Sequence, residues 1–200
     1  MSRLPLGAKP SVLRCARCGR FVDWEDAQLQ VVCGCRGRSD LPLVMVREAT
    51  DDDRQIVKAL FQRDFGRSAI VAFGEVMTLD DAPSIVAQMK GEMAGALAYR
   101  LLDDALQILA LATDPMWQRS GVGGHLVAEA ELIARKKPLS RVVFCTTNDN
   151  LPALYFYQRR GYQITEVVPG ALLRHMRSPD LAGFGGIAVR DEIRLEKRLA

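Results

Sequence analysis

A glycine-rich stretch, Gln118 to Gly124, precedes a segment with the periodicity of a helix. It reads QRSGVGG, and the following HLVAEAELIARKK repeats apolar residues at helical spacing. The first turn of a helix has unpaired backbone N–H groups, and the helix dipole favours negative charge there. A glycine-rich turn that opens a helix is therefore a binding device for phosphate.

The details of this loop narrow the class of ligand. A P-loop requires a Gly-Lys-Ser/Thr ending, which the stretch lacks. A dinucleotide-binding fingerprint requires a third glycine where Leu126 stands, and parallel strand–helix–strand units before it. A glycine-rich turn without a ligand is the alternative. Three hairpin strands before the loop, and a second helix that ends at Gly161, favour a bound ligand.

Four cysteines lie within 21 residues near the N-terminus: Cys15, Cys18, Cys33 and Cys35. The first two have the spacing of a zinc knuckle, and four thiolates form the closed tetrahedral set of a structural zinc site. A disulfide framework is the alternative, but nothing in the sequence indicates secretion. We interpret residues 1–43 as a zinc-ribbon-like module. Cys145, in an apolar strand, is interpreted as a small buried side chain.

Composition and charge limit the functional classes. The chain has 200 residues and a net charge of +3, which allows one ordinary domain plus a small module. The whole positive excess lies in residues 1–43, and it is too small to indicate nucleic-acid binding. No apolar run has transmembrane length, and the N-terminus lacks the apolar stretch of a signal peptide. We expect a cytoplasmic protein that is not in the membrane.

The first half of the remaining chain predicts one helix among strands. LVMVREAT reads as a strand that ends at Thr50, the N-cap of a helix that stops at Gly66. Residues 68–82 are ambiguous, with a short helix and a loop as the interpretation. Three strands then follow, SIVAQMK, MAGALAYRLL and ALQILALAT, separated by short turns that join antiparallel neighbours.

The second half alternates helices and strands. A helix over 121–136 is followed by the strand RVVFCTT, and a second helix runs from Asn150 to Arg160. The strand YQITEVV comes next. Residues 170–186 are irregular, and VRDEIRLEKRL is a final strand.

Two motifs, together with this order of strands and helices, resemble those of the GNAT superfamily of acyl-CoA-dependent N-acetyltransferases. The loop matches the family pattern Gln/Arg-x-x-Gly-x-Gly/Ala, with Asp114-Pro115 just upstream. The stretch NLPALYFYQRRGY, which begins at Asn150, resembles the family's Asn-x-x-Ala-x-x-x-Tyr-x-x-x-Gly-Phe helix. The resemblance spans about residues 44–169 and the last strand. It implies an α+β, three-layer domain over 44–200, with a mixed, mostly antiparallel sheet and helices on both faces.

The resemblance also implies the roles of particular residues. Backbone N–H groups from Arg119 to Gly124 would hold the pyrophosphate of coenzyme A. The pantetheine arm would lie where the fourth strand bulges away from the fifth, near Leu109–Thr113, and the Leu111 N–H would face the thioester carbonyl. Tyr157 would be the general acid that protonates the departing thiolate. The residues implied in acetyl-CoA binding are Leu111, Thr113, Gln118, Arg119, Ser120, Gly121, Val122, Gly123, Gly124, Asn150 and Tyr157.

One departure from the family pattern concerns the general base. Some relatives place a glutamate four residues before the oxyanion donor, but here that residue is Gln107, which cannot accept a proton. We expect an N-acetyltransferase that uses acetyl-CoA and an amine acceptor, with specificity set by residues 60–82 and 170–186. The alternative is a non-catalytic acyl-CoA-binding regulatory or scaffold protein whose ribbon docks on a protein or nucleic acid. A homodimer is left open.

Overall fold

The computed structural model describes residues 12–15, 21–22, 43–66, 69–118, 120–175 and 182–199. Of the four cysteines assigned to zinc, Cys18, Cys33 and Cys35 lie outside these ranges, and only the backbone of Cys15 is within them. The predicted zinc site therefore lies outside the described residues.

A mixed sheet of nine strands organises the described part of the chain. Its strands are β1 Val12–Cys15, β2 Phe21–Val22, β3 Leu43–Glu48, β6 Ser84–Met89, β7 Glu92–Leu101, β8 Ala105–Thr113, β9 Arg141–Thr147, β10 Gln163–Val168 and β11 Glu192–Arg198. Across the sheet they lie in the order β10-β11-β9-β8-β7-β6-β3-β1-β2. All neighbours are antiparallel except β8 and β9.

Helices cover both faces of this sheet, as the three-layer prediction requires. Helix α1, Arg54–Phe65, packs on β7 and β8, whereas α2, Val122–Lys136, packs on the opposite face against β3 and β6–β9. A short helix, α3 at Leu151–Gln158, adds aromatic side chains to the α2 layer. Within the described ranges, no helix has both the length and the apolar composition to cross a membrane.

Residues 69–78 form a second small sheet, where the sequence had suggested a short helix and a loop. Strands β4, Ala69–Ala72, and β5, Glu75–Thr78, pair antiparallel. Phe73 and Gly74 connect them with φ angles of 55° and 76°, which is the backbone sign pattern of a two-residue hairpin turn. The turn was missed because phenylalanine rarely adopts positive φ, so Phe-Gly is not a usual hairpin signal.

The predicted end of the first helix at Gly66 is confirmed, whereas its start differs: Thr50 is the N-cap of a 3₁₀ turn, and Asp53 is the N-cap of α1. Thr50 precedes a 3₁₀ turn, Asp51–Asp53, and Gly66 ends α1 with a φ of 70°. The Asp53 carboxylate accepts hydrogen bonds from both the N–H and the hydroxyl of Thr50. It also forms a buried, two-point ion pair with Arg47, with N–O distances of 2.5 and 2.8 Å. Asp53 therefore ties α1 to β3.

Candidate active site

The sheet opens between β8 and β9, the only parallel neighbours among the described strands. Their pairing extends from Ala105–Arg141 to Gln107–Val143 and then ends. On the other edge of β8, Ala98 pairs with Ala110 and Tyr99 with Ile108, so Leu109 is an extra, unpaired residue. Such a bulge bends a strand. It lies at the start of the segment where the sequence predicted the bulge, and β8 leaves β9 beyond it.

The bulged strand directs the N–H of Leu111 into this opening. Asp114 N–H donates to the Ala94 carbonyl at 2.9 Å. Because bonded and non-bonded pairs alternate along an antiparallel ladder, the N–H groups of Leu111 and Thr113 point away from β7. They point into the gap between β8 and β9, where an extended ligand could form backbone hydrogen bonds with them.

A cleft of about 730 Å³ occupies the opening and continues to the start of α2. It brings together most of the residues that the sequence assigned to acetyl-CoA. Ser120 does not line the cleft, because its hydroxyl is turned to the Trp117 carbonyl, and Arg119 lies outside the described residues. The assigned residues that line it are Leu111, Thr113, Gln118, Gly121, Val122, Gly123, Gly124, Asn150 and Tyr157.

Glycines shape the end of the cleft where α2 begins. Gly121 is the N-cap of α2 and has a φ of 91°, a conformation that side chains disfavour. A Cβ on Gly123 would lie 3.4 Å from the Phe156 ring and 3.5 Å from the Leu111 side chain, both of which line the cleft. The missing side chain at 123 therefore leaves the α2 N–H groups accessible from the cleft.

Arg160 is a cleft residue that the sequence reasoning missed. Its guanidinium stacks on the Phe156 ring at 3.6 Å and occupies the space beside Gly124, where an added Cβ would lie 2.5 Å from Nη2. Desolvation lowers the pKa of Arg160, which nevertheless stays charged at neutral pH. The sequence showed that this arginine precedes Gly161, but not that its side chain enters the cleft. The contact with Gly124 depends on how α3 packs against α2.

Tyr157 lies on the inner side of α3 and lines the middle of the cleft. Its side chain is 3% exposed, and its ring stacks on Phe144 with centroids 3.7 Å apart. Burial raises the pKa of the Tyr157 phenol, so the proton is held at neutral pH. Tyr155, on the same helix, is 63% exposed, and its hydroxyl accepts a hydrogen bond from Arg159.

Gln107 does not line this cleft. It is fully buried, and its Oε1 accepts a hydrogen bond from Arg100 Nε at 2.7 Å. Arg100 in turn lies 3.4 Å from Glu75 on the β4–β5 hairpin. Gln107 therefore joins the sheet to the hairpin, and the position of the family's glutamate base is occupied by a structural amide.

A second pocket, of about 380 Å³, adjoins the cleft at the opened strands. The two share six lining residues: Asp64, Phe65, Leu109, Cys145, Thr146 and Asn150. Strand β4 and the turn residues Leu172 and His175 form other walls. The segments predicted to set acceptor specificity, 60–82 and 170–186, therefore both contribute to this pocket.

Asn148 and Asp149, which follow β9, hold in place the segment 184–191 that leads to the second pocket. Asn148 Oδ1 accepts the N–H groups of Arg190 and Asp191, each at 2.9 Å. Asp149 is buried and accepts the N–H of Phe184 at 3.0 Å. These bonds connect residues 148–149 to residues 184–191, and so they position Glu192 at the start of β11.

Comparison with known proteins agrees with the fold. Residues 45–162 match the acetyltransferase (GNAT) family, so the chain belongs to that family. The uncharacterized protein YdhI of Bacillus subtilis (strain 168) is 30% identical over 148 residues, covering 72% of this chain and 91% of YdhI.

Solved structures share the same architecture. An acetyltransferase of Bacillus subtilis in complex with CoA has a TM-score of 0.60 and 22% identity, covering 78% of this chain and 98% of its own. A GNAT family acetyltransferase from Elizabethkingia anophelis with acetyl-CoA bound has a TM-score of 0.58 and 20% identity, with coverage of 78% and 98%. At these identities the likeness concerns the fold.

Proposed function

We propose that this protein transfers an acetyl group from acetyl-CoA directly to a primary amine. The observation that carries the proposal is the cleft itself. Its walls include the glycine loop at the start of α2, the Leu111 backbone, whose N–H points away from β7, and the buried phenol of Tyr157. The structural neighbours with CoA and acetyl-CoA bound support the identity of the cosubstrate.

Each part of the cleft has a role in this reaction. The α2 N–H groups and Arg160 would hold the pyrophosphate, because both present positive charge to the same end of the cleft. The Leu111 N–H would stabilise the oxyanion that forms when the amine attacks the thioester carbonyl. When the C–S bond breaks, Tyr157 would give its proton to the thiolate.

Gly123→Ala tests the cofactor site without disturbing the fold. The added methyl group fits beside Phe156 and Leu111 but projects into the cleft. We expect CoA to bind about tenfold more weakly or worse, a loss of about 1.4 kcal/mol. The thermal midpoint should stay the same or rise, since alanine favours a helix over glycine. Calorimetric titration with CoA, beside thermal unfolding of both proteins, measures the two effects. Unchanged CoA affinity in a folded variant would place the pyrophosphate elsewhere.

The acetyltransferase activity itself is tested by coenzyme A release with a panel of primary amines. Amine-dependent release of CoA supports the proposal. Tight CoA binding without turnover on any amine would instead favour an acyl-CoA-binding regulatory protein.

We also propose that residues 1–43 form a zinc ribbon held by Cys15, Cys18, Cys33 and Cys35, with zinc in a structural role. The spacing of the cysteines supports this set, and the backbone of β1 pairs with β3, which would join the ribbon to the edge of the main sheet. Protein purified without added metal should contain about one zinc ion per chain. Cys18→Ser should lose the metal, whereas Cys145→Ser, outside the set, should retain it. A metal-free wild type with paired disulfides would contradict the assignment.

A further inference from the structure

Glu192 is a buried carboxylate with one oxygen unused. It is 1% exposed, and its Oε1 accepts a hydrogen bond from Arg194 Nε at 2.7 Å. Within the described part of the chain, no hydrogen-bond donor reaches Oε2. Leaving a buried charged acceptor unpaired is costly, so such an oxygen is often kept for a ligand.

The unused oxygen belongs to a side chain that lines the second pocket. Glu192 pairs with Thr147 across β9 and β11, beyond the point where β8 leaves β9. Cys145, which the sequence suggested was buried, is half-buried beside Glu192 and lines both the pocket and the cleft. Desolvation, together with the nearby Glu192, raises the pKa of the Cys145 thiol to about 12, so this thiol stays neutral. A molecule in the pocket can therefore contact Glu192 and face the cleft.

The walls of the pocket restrict the chemistry of that molecule. Its described lining contains two carboxylates, Asp64 and Glu192, and one histidine, His175, but no lysine or arginine. The remaining surface is largely apolar, with Ile70, Val71, Ala72, Leu172 and Val189. Each carboxylate is also paired with an arginine that does not line the pocket, Asp64 with Arg63 and Glu192 with Arg194. The unpaired Oε2 of Glu192 is therefore the acceptor that the pocket offers to an ammonium group, and the described lining has no lysine or arginine to pair with a carboxylate beside that amine.

We propose that Glu192 is the proton acceptor of the transfer reaction, and that the acceptor is a small primary amine with an apolar body and no neighbouring carboxylate. This inference rests on the proposed function. The acceptor binds as an ammonium ion, and one of its protons passes to Glu192 Oε2, which frees the nitrogen lone pair. The nitrogen then bonds to the thioester carbon, the C–S bond breaks, and Tyr157 protonates the sulfur. The tyrosinate takes the second proton from the nitrogen, and Glu192 releases its proton to solvent, so an alkylammonium ion and acetyl-CoA yield an amide, CoA and a proton.

Glu192→Gln tests this role, with Glu166→Gln as the matched control. Glu166 also pairs with Arg194, at 2.7 Å, but it is exposed on β10. With phenethylamine as the probe, we expect Glu192→Gln to lower kcat/KM about 10²-fold, with CoA affinity unchanged. Glu166→Gln should remain within about twofold of wild type, because its loss affects only an exposed ion pair. Phenylalanine, which adds a carboxylate beside the amine, should be a poor substrate.

The pH dependence separates proton transfer from a structural effect. Among the described residues, the charged or titratable groups that face Glu192 or line its pocket are Arg194, Asp64, His175 and Cys145. The deficit of Glu192→Gln should narrow as pH approaches about 10, near the ordinary pKa of an alkylamine, because the free amine then needs no base. A purely structural defect would persist at every pH.

The results of these experiments distinguish a failure of the Glu192 proposal from a failure of the proposed acetyltransferase function. If Glu192→Gln does not bind CoA, Glu192→Asp takes its place, and a folded variant with a loss of at least tenfold supports the role. Wild-type kcat/KM in either folded variant overturns it. A wild-type enzyme that binds CoA but neither binds nor acetylates phenethylamine or butylamine overturns this inference alone. Failure to bind CoA would instead overturn the proposed function.

Discussion

Replacing Tyr157 with phenylalanine should lower turnover by about 10²–10⁴-fold while acetyl-CoA binding changes little. The substitution removes one oxygen and keeps the stacking on Phe144 and the edge contact with Tyr162. The phenol is the part of this side chain that can donate a proton, so the loss should fall on kcat. Single-turnover kinetics with an accepted amine, combined with CoA titration, would measure both effects.

Tyr155→Phe is the matched control on the same helix. Its hydroxyl is exposed and contacts Arg159 alone among the described residues, so activity should stay within about twofold of wild type. Because the pKa of Tyr157 is raised, the phenol remains protonated through neutral pH and past its ordinary value of about 10. Tyr157 should therefore cause no loss of activity between pH 7 and pH 10. Full turnover by Tyr157→Phe, with chemistry rate-limiting, would show that another group protonates the thiolate.

Asp53→Asn should destabilise the folded protein by about 3–5 kcal/mol, the usual cost of removing one partner from a buried ion pair. The change leaves the Arg47 guanidinium buried without its counterion, and it weakens the bonds that Asp53 accepts from Thr50. Chemical denaturation at neutral pH would measure the free energy of unfolding. The double variant Arg47→Met/Asp53→Leu should lose less than Asp53→Asn, because it leaves no charge unpaired.

Asp51→Asn controls for the helix-end location. Asp51 lies in the same turn, but its side chain is 94% exposed where it meets Arg54, so its loss should cost no more than about 1 kcal/mol. The Arg47 interaction lowers the pKa of Asp53 despite the opposing desolvation. The stabilisation is therefore fully present above the unfolded pKa of about 3.9 and is lost as pH falls through the folded value. Equal stability of Asp53→Asn and Asp51→Asn would contradict the role of the pair.

The amino-acid sequence by itself determined the features that depend on local interactions. Gly66 marks the end of the first helix, and Thr50 marks the start of the 3₁₀ turn that leads into it, because capping and positive φ are properties of a few neighbouring residues. The strands over 84–113 were predictable from apolar runs and short turns. The glycine loop and the position of Tyr157 followed from two motifs, each contained in one short stretch of chain. In each case the residues that decide the structure are close in sequence.

Only the tertiary structure decided which distant residues meet. The Leu109 bulge is defined by the pairing of β8 with β7, and Asp53 ties α1 to β3 because Arg47 faces it from that strand. Arg160 enters the cleft because Gly124 leaves room for it. Glu192 reads as one charge in a charged strand, VRDEIRLEKRL. It becomes a candidate base because residues 148–149 hold its segment beside a pocket formed by α1, β4 and β9. Burial and an unpaired oxygen arise from packing between elements far apart in the chain, so no local pattern records them.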